Sequence, residues 1–484
     1  MTPLALGPEG LGLAQLLAIA DGGASLRFTE AARLCIAAGH ALLRQQVAAG
    51  VAVYGVTTGL GAAVDQAQAA DDVLFQQRIV PGRAVGLGRL AERREVRAIL
   101  AARLAGLAQG RSGISLASAD SLLALLDRGI HPEVPLLGSL GESDLAPLAH
   151  LSLALLGQGR VEYRGQAMDA AQALAEAGLP RATLVGKDGL ALVSANAASI
   201  GLGALLVADA QAVLEQQLAA LALSCEGFRA SLAPFQPWAA RLRPAPGQAE
   251  QSAALLALLA GGSLDDPRQA RRLQDPLSLR CATIVLGAAQ QALAQARALL
   301  ELELASGADN PALVEETGEV LVTANFDSTH LALAFEGLGL ALSRLAVASA
   351  ERIGKLLSPT FSDLPRALAT RPGRVGLAAL HRTAAALVAE IVHLANPIPA
   401  LAIAVADRVE DYAGQAPAVI DKARAQLQRL AWLTRIELVC AAQAVDLRGD
   451  IRLGHGVRGV YEQVRRNVAF IDEDRQLDLR APWR

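Results

Sequence analysis

Between Pro417 and Gly449 the chain carries no other proline or glycine, and that run limits the fold more than any other feature. Proline suits the first position of a helix and glycine the position just past its end. At 1.5 Å per residue the segment predicts a single helix about 45 to 50 Å long. A helix of that length buries its apolar face only by lying lengthwise against others like it. Hydrophobic residues make up 52% of the 484, yet aromatic residues only 3%. The core is therefore built of Ala, Leu and Val, and Ala-rich faces let helices approach closely. Glu95 to Gly110 repeats the pattern: Val96, Ile99, Leu100, Leu104 and Leu107 recur at spacings of three and four, and Gly110 supplies the stop. The expectation is an all-α chain, mainly an elongated bundle of long helices.

Charge excludes one class of partner. Lys plus Arg number 44 against 47 Asp plus Glu, a net charge of -3, without the basic excess that phosphate-backbone binding requires. No nucleic-acid partner is expected. Only Lys187, Lys355 and Lys422 are lysines, and the other basic residues are arginines. Cys35, Cys225, Cys281 and Cys440 lie far apart with no CxxC pair, which fits a reducing cytoplasm and argues against a disulfide framework or a zinc site. Met1 to Leu11 lacks the basic and apolar blocks of a signal peptide. Gly189 to Ala208 is free of charge, but Ser194, Asn196 and Ser199 interrupt it, so a buried core helix is expected rather than a membrane span.

Turn-forming residues concentrate in Val53 to Gly61, Pro132 to Pro147, Ser306 to Pro311 and Asn396 to Pro417. Loops held on a rigid scaffold are the usual seat of chemistry. The first of them, Tyr54-Gly55-Val56-Thr57-Thr58-Gly59-Leu60-Gly61, begins with one of only four tyrosines. Its three glycines permit close approach of other groups. A phenol titrates near 10, so it needs help from its neighbours to act as a base; as phenolate it is strong enough to take a weakly acidic C–H proton.

A second loop reads Gly138-Ser139-Leu140-Gly141-Glu142-Ser143-Asp144-Leu145-Ala146-Pro147-Leu148-Ala149-His150. Together with the Tyr54 loop, Lys187-Asp188-Gly189-Leu190-Ala191-Leu192, Gln274-Asp275-Pro276-Leu277-Ser278-Leu279-Arg280-Cys281, Asp309-Asn310-Pro311, Asn325-Phe326 and Val409-Glu410-Asp411, it resembles the histidine and aromatic amino acid ammonia-lyase family. The blocks stand in the family's order across nearly the whole chain. The resemblance implies a mostly α-helical homotetramer with active sites shared between subunits, acting on a small amino-acid-derived substrate by releasing an amine from its α-carbon. It also implies two regions, active-site loops in 1–185 and the central long-helix bundle with C-terminal helices in 186–484. Tyr54 then corresponds to the base for the β-proton and Arg280 to the partner of the substrate carboxylate. Asn310 and Gln274 support substrate and leaving group, and Glu410 stands near the substrate side chain. These roles are chemically sound, since arginine offers a carboxylate a bidentate fork and a carboxylate can hold an imidazole or a cation.

The sequence departs from the family at its electrophile. Family members cyclise Ala-Ser-Gly within Gly-Ala-Ser-Gly-Asp-Leu to form methylideneimidazolone. Here Gly141-Glu142-Ser143-Asp144-Leu145 has Glu in place of Ala and lacks the glycine after Ser143. The expectation is that the prosthetic group does not form and that no cofactor or metal is used. Arg83, Ser194, Leu277, Tyr412 and Asp327 stand where the histidine lyases carry His, Asn, Tyr, His and His. The base and the carboxylate anchor are retained, while the electrophile and much of the side-chain pocket are replaced.

What survives suits a different leaving group. A primary ammonium loses its N–H protons to a strong base before carbon does, whereas a quaternary ammonium has none to lose and already leaves well. Elimination of trimethylamine from a histidine betaine such as ergothioneine, as in ergothionase-like members without the cofactor, is the most concrete candidate. Glu142 is then a candidate anionic partner for the cation, Arg83 for a thione or second carboxylate, and Tyr412 for a hydrogen bond or a cation face. Two alternatives stay open: a lyase or aminomutase-type enzyme on another activated amino acid, a dicarboxylic one among them, and a catalytically dead homologue. His150 and Lys187 read as interior residues, the first a satisfied core histidine and the second paired with Asp188 or a distant acid. With Leu277 in place of a family Tyr, an aromatic-poor pocket makes a large aromatic substrate the less natural one.

Overall fold

The computed structural model describes residues 3–69, 72–400, 403–449, 451–480 and 483, and 60% of the chain is helical. The long helices are Ala197–Phe228, Ala282–Leu304, Thr329–Leu357 and Ala416–Arg448. The last follows the Pro417–Gly449 run within a residue at each end, with Gly449 at φ +73° just beyond it. This is the all-α architecture that the sequence implied.

The chain forms two compact units. The first draws on Met1–Leu206, Arg297–Leu333 and Ile398–Asp421, and the second on Val207–Ala296, Ala334–Pro397 and Lys422–Arg484. Among the described residues every strand belongs to the first unit: three two-stranded pairs and one three-stranded sheet. The pair of Ala312–Val314 with Glu319–Leu321 is the antiparallel hairpin that follows Asn310. Strands of three or four residues bury too little to show as a period-two pattern, so the sequence predicts none of them.

At the centre of the first unit runs Arg93–Ala108, buried along almost its whole length, with Gly110 at φ +76° after its end. Beyond its first turn its charged members Arg97 and Arg103 are buried with partners. Arg97 Nε donates to the Ile19 carbonyl at 2.8 Å, at the C-terminal end of Leu13–Ala20. Arg103 holds Asp309 through two hydrogen bonds, at 2.8 and 3.3 Å, and also donates to the Ala191 carbonyl. One guanidinium thus fixes both the segment leading into Asn310 and the helix Asp188–Val193.

The uncharged stretch from Gly189 runs from Asp188–Val193 across a break at 194–196 into Ala197–Phe228, and the apolar segment is 94% buried over its most hydropathic window. That segment and Thr329–Leu357 have the length and hydropathy of membrane spans, and both are largely covered by protein. In the second unit Arg352 and Glu437 form a buried bidentate pair, and Ser224 and Ser349 donate to the same carboxylate. Arg352 also donates to the Ser278 carbonyl at 3.2 Å, holding the segment that bears Arg280.

Candidate active site

A cavity of about 820 Å³ opens in the first unit. Tyr54, Arg83, Glu142, Ser194, Asn310, Glu410 and Tyr412 all line it, with Ser143, Leu190, Phe326 and Asp327 between them. Residues up to 358 positions apart, from Tyr54 to Tyr412, are therefore brought to one wall. Arg280 and Gln274 do not line this cavity; they belong to the second unit, where Arg280 Nη1 donates to Gln274 Oε1 at 3.0 Å.

Tyr54 is held by its own loop. Val53 N–H donates to Thr57 Oγ1 at 2.8 Å and Thr57 N–H to the Val53 carbonyl at 2.9 Å, closing a tight turn. The residue after Tyr54 must be glycine: Gly55 has φ +72°, and a β-carbon there would lie 2.5 Å from Leu190 Cδ2. At the far end of the loop Gly61 N–H donates to Tyr54 Oη at 2.8 Å. A backbone donor aimed at a phenol oxygen steadies negative charge developing there. Glu410 Oε1 lies beside Gly61, 3.9 Å from where a β-carbon on that glycine would stand. The guanidinium of Arg83 completes the group. Burial lowers its pKa, and the nearby Tyr54 and Glu410 push the other way. Arg83 Nη1 also donates to the Ile79 carbonyl at 3.3 Å.

The opposite part of the wall is acidic. Glu142 and Asp327 face each other as an isolated antiparallel bridge, and the Gly414 N–H donates to Glu142 Oε1 at 3.0 Å. Burial lifts the Glu142 carboxyl to about 7; the Gly414 N–H pulls it down, while Asp327 and Glu410 push it further up. Two carboxyls this close keep a proton that one alone would lose. Asp327 accepts from Thr329 N–H at 3.0 Å and Thr329 Oγ1 at 3.1 Å, and Thr329 Oγ1 also meets Tyr412 Oη at 2.6 Å. Asn310 Oδ1 accepts from Thr323 N–H at 2.9 Å, and Ser194 Oγ lies 3.2 Å from Ser143 Oγ.

The loop between Glu142 and Leu145 is fully committed. Ser143 has φ +69°, and its N–H donates to Asn196 Oδ1 at 2.9 Å. The Asp144 N–H donates to the Ala195 carbonyl at 2.7 Å. The buried Asp144 carboxylate accepts from Ser139 Oγ at 2.8 Å, Ser199 N–H at 2.7 Å and Ser199 Oγ at 3.1 Å. Burial raises its pKa against the pull of those donors.

His150 and Lys187 lie outside the cavity lining. His150 Nε2 accepts from Gly86 N–H at 3.0 Å, so the ring anchors the segment after Arg83, and burial lowers its pKa. Lys187 Nζ donates to the Ser112 carbonyl at 2.9 Å; burial draws its pKa to about 8 against the field of Asp309. Asp188 pairs instead with Ser115 and Ser118, each hydroxyl at 2.7 Å. All four cysteines are free thiols. Among the described residues no group of three His, Cys, Asp or Glu side chains stands close enough to hold a metal.

The chain belongs to the aromatic amino acid lyase family, which it matches over residues 11–466. Members of the family are carbon–nitrogen lyases. A histidine ammonia-lyase of Deinococcus radiodurans is 37% identical over 473 residues, covering 96% of this chain and 90% of the relative. One from Alkaliphilus metalliredigens is 33% identical, covering 98% and 94%. Among solved structures, the ergothioneine-degrading ergothionase of Treponema denticola, in complex with desmethyl-ergothioneine sulfonic acid, superposes with a TM-score of 0.94 at 30% identity. That likeness covers 98% of this chain and 96% of that one. The phenylalanine aminomutase of Pantoea agglomerans follows at 0.92 and 27%, covering 98% and 96%.

Proposed function

We propose that this chain is a carbon–nitrogen lyase that works without methylideneimidazolone and eliminates trimethylamine from a histidine betaine such as ergothioneine, with Tyr54 as base. The observation that carries the reading is the state of Asp144. Cyclisation needs the backbone nitrogen after the serine to attack the carbonyl before it. Here that nitrogen is spent on Ala195, and the attached side chain is clamped by three donors. The residues of the loop do not fit the family's prosthetic group.

In the elimination, the Tyr54 phenolate takes the β-proton, and the C–H electron pair forms the Cα–Cβ double bond. The Cα–N pair departs with nitrogen as neutral trimethylamine, and the tyrosine proton returns to water. Gly61 N–H and Arg83 surround the oxygen that starts the step with negative charge. Glu142 beside Asp327 supplies a negative wall for the cationic head, with Phe326 and Tyr412 as apolar and aromatic cover. Glu410, Arg83 and Tyr412 address the side-chain end, and Asn310 and Ser194 the amino-acid core. In this reading Arg280 and Gln274 bind the carboxylate from a neighbouring copy in a homotetramer. Support comes from their absence from the cavity lining and from Leu333, Leu340 and Val347, exposed at intervals of seven on Thr329–Leu357. The four free thiols fit a reducing cytoplasm.

The test is incubation with ergothioneine, following trimethylamine release and the absorbance of the unsaturated product. Absence of trimethylamine removes this substrate, and a Tyr54→Phe variant with full turnover removes the base. An intact mass short by two waters overturns the cofactor-free reading. Arg83 in the cavity wall favours one second reading, an activated dicarboxylic amino acid bound by Arg83 and Arg280, which the same assay separates by substrate.

A further inference from the structure

Gln76, on the helix Val73–Ile79, is 2% exposed, although glutamine is mostly a surface residue. All of its hydrogen bonds go to backbone. Its Nε2 donates to the Gly55 carbonyl at 2.8 Å, and its Oε1 accepts from the N–H groups of Gly189 at 3.0 Å and Leu190 at 3.4 Å. Gly55 follows Tyr54 directly, and Leu190 lines the same cavity. The Gly189 and Leu190 amides open the helix Asp188–Val193 and have no partner within it. The fit is tight on both sides: a β-carbon on Gly189 would lie 2.1 Å from the Gln76 carbonyl oxygen.

We propose that Gln76 is the positioning residue for Tyr54. Its carboxamide sets the distance between the turn that carries the phenol and the helix wall behind it, and so the place of the phenol oxygen against the substrate β-carbon. Only an amide does this, because the site asks for a donor toward Gly55 and an acceptor toward two N–H groups. A carboxylate keeps the acceptor and loses the donor, whereas methionine loses both at similar size. The catalytic half of the proposal rests on Tyr54 acting as the base.

The experiment pairs Gln76→Glu with Gln76→Met in the full-length protein. Hydrogen exchange over residues 53–61 reads the tether without any substrate. One lost buried hydrogen bond predicts exchange about tenfold faster there in both variants, with Arg93–Ala108 unchanged. On ergothioneine, with rates divided by the folded fraction read from circular dichroism, a misplaced base predicts kcat lower by roughly 10- to 100-fold with KM within about threefold, a loss that the folded fraction does not account for. Wild-type exchange over 53–61 in Gln76→Glu overturns the proposal; if that variant does not fold, wild-type exchange and turnover in Gln76→Met do so. Fast loop exchange in these variants together with full turnover by Tyr54→Phe leaves the tether standing and removes the base.

Discussion

In the proposed elimination, replacing Glu142 by glutamine isolates the charge that would face the cationic head of the substrate. Because burial and its acidic neighbours lift the Glu142 carboxyl to about 7, the free protein carries this charge only above neutral pH. For a substrate with a fixed positive charge, the Glu142 contribution to kcat/KM therefore climbs as pH rises through 7 and is complete above about 8, the free-enzyme profile reporting the free-enzyme group. Two unit charges about 5 Å apart attract by about 3 kcal/mol at an effective dielectric near 20. Solvent in the open cavity cuts that to about 1–2 kcal/mol, or roughly 5- to 30-fold in kcat/KM. Glu142→Gln is expected to lower the plateau by that factor and to erase the inflection near 7. The assay is initial-rate trimethylamine release from ergothioneine between about pH 5.5 and about 9. A variant that keeps both the plateau and the inflection refutes the reasoning. The same raised pKa has a cost in stability. Between the ordinary carboxyl pKa and 7 the unfolded chain gives up a proton that the folded one keeps, so this contribution is full at low pH and lost as pH rises through 7.

Three further outcomes follow from the same geometry. Asp327→Asn removes a charge that pushes Glu142 up, so the inflection in the kcat/KM profile moves to lower pH; an unmoved inflection separates the two groups. Arg103→Met strands the buried Asp309 carboxylate, at a cost of about 3–5 kcal/mol, seen in thermal unfolding as a drop of about 3–5 °C for a chain this long. Asp144→Asn turns a carboxylate with three donors into a group that presents one N–H face to them. It is expected to cost about 1–3 kcal/mol and to lower turnover with it, measured by unfolding and by trimethylamine release.

The long helices were legible because their signals are local. Pro417 and Gly449 bracket Ala416–Arg448, and the spacing from Val96 to Leu107 marks Arg93–Ala108. The cavity-lining residues Tyr54, Arg83, Glu142, Ser194, Asn310, Glu410 and Tyr412 were legible through family motifs rather than through any periodicity. Asp327 was visible as a departure beside Phe326, but its pairing with Glu142, across 185 positions, depends on backbone pairing that no motif records. Gln76 left no signal at all: a glutamine next to Gln77 and Arg78 reads as a wet helix face until the loop that covers it is known. Several short strands were hidden for a related reason, since Leu87–Leu90 and Ile130–Pro132 are settled by partners distant in sequence, and the two local hairpins are too short to show a period.

Asp144 has a consequence for how activity appears during folding. Its carboxylate closes the 138–145 loop through Ser139 and meets the first turn of Ala197–Phe228 through Ser199, 55 residues later. The loop therefore takes its final shape only once that helix has formed and docked, a non-local contact whose chain-closure entropy must be met first. A nascent or partly unfolded chain holds the motif but not the cavity. Catalytic competence should thus return late and all at once on refolding, in step with burial of that helix rather than with the early gain of helical content.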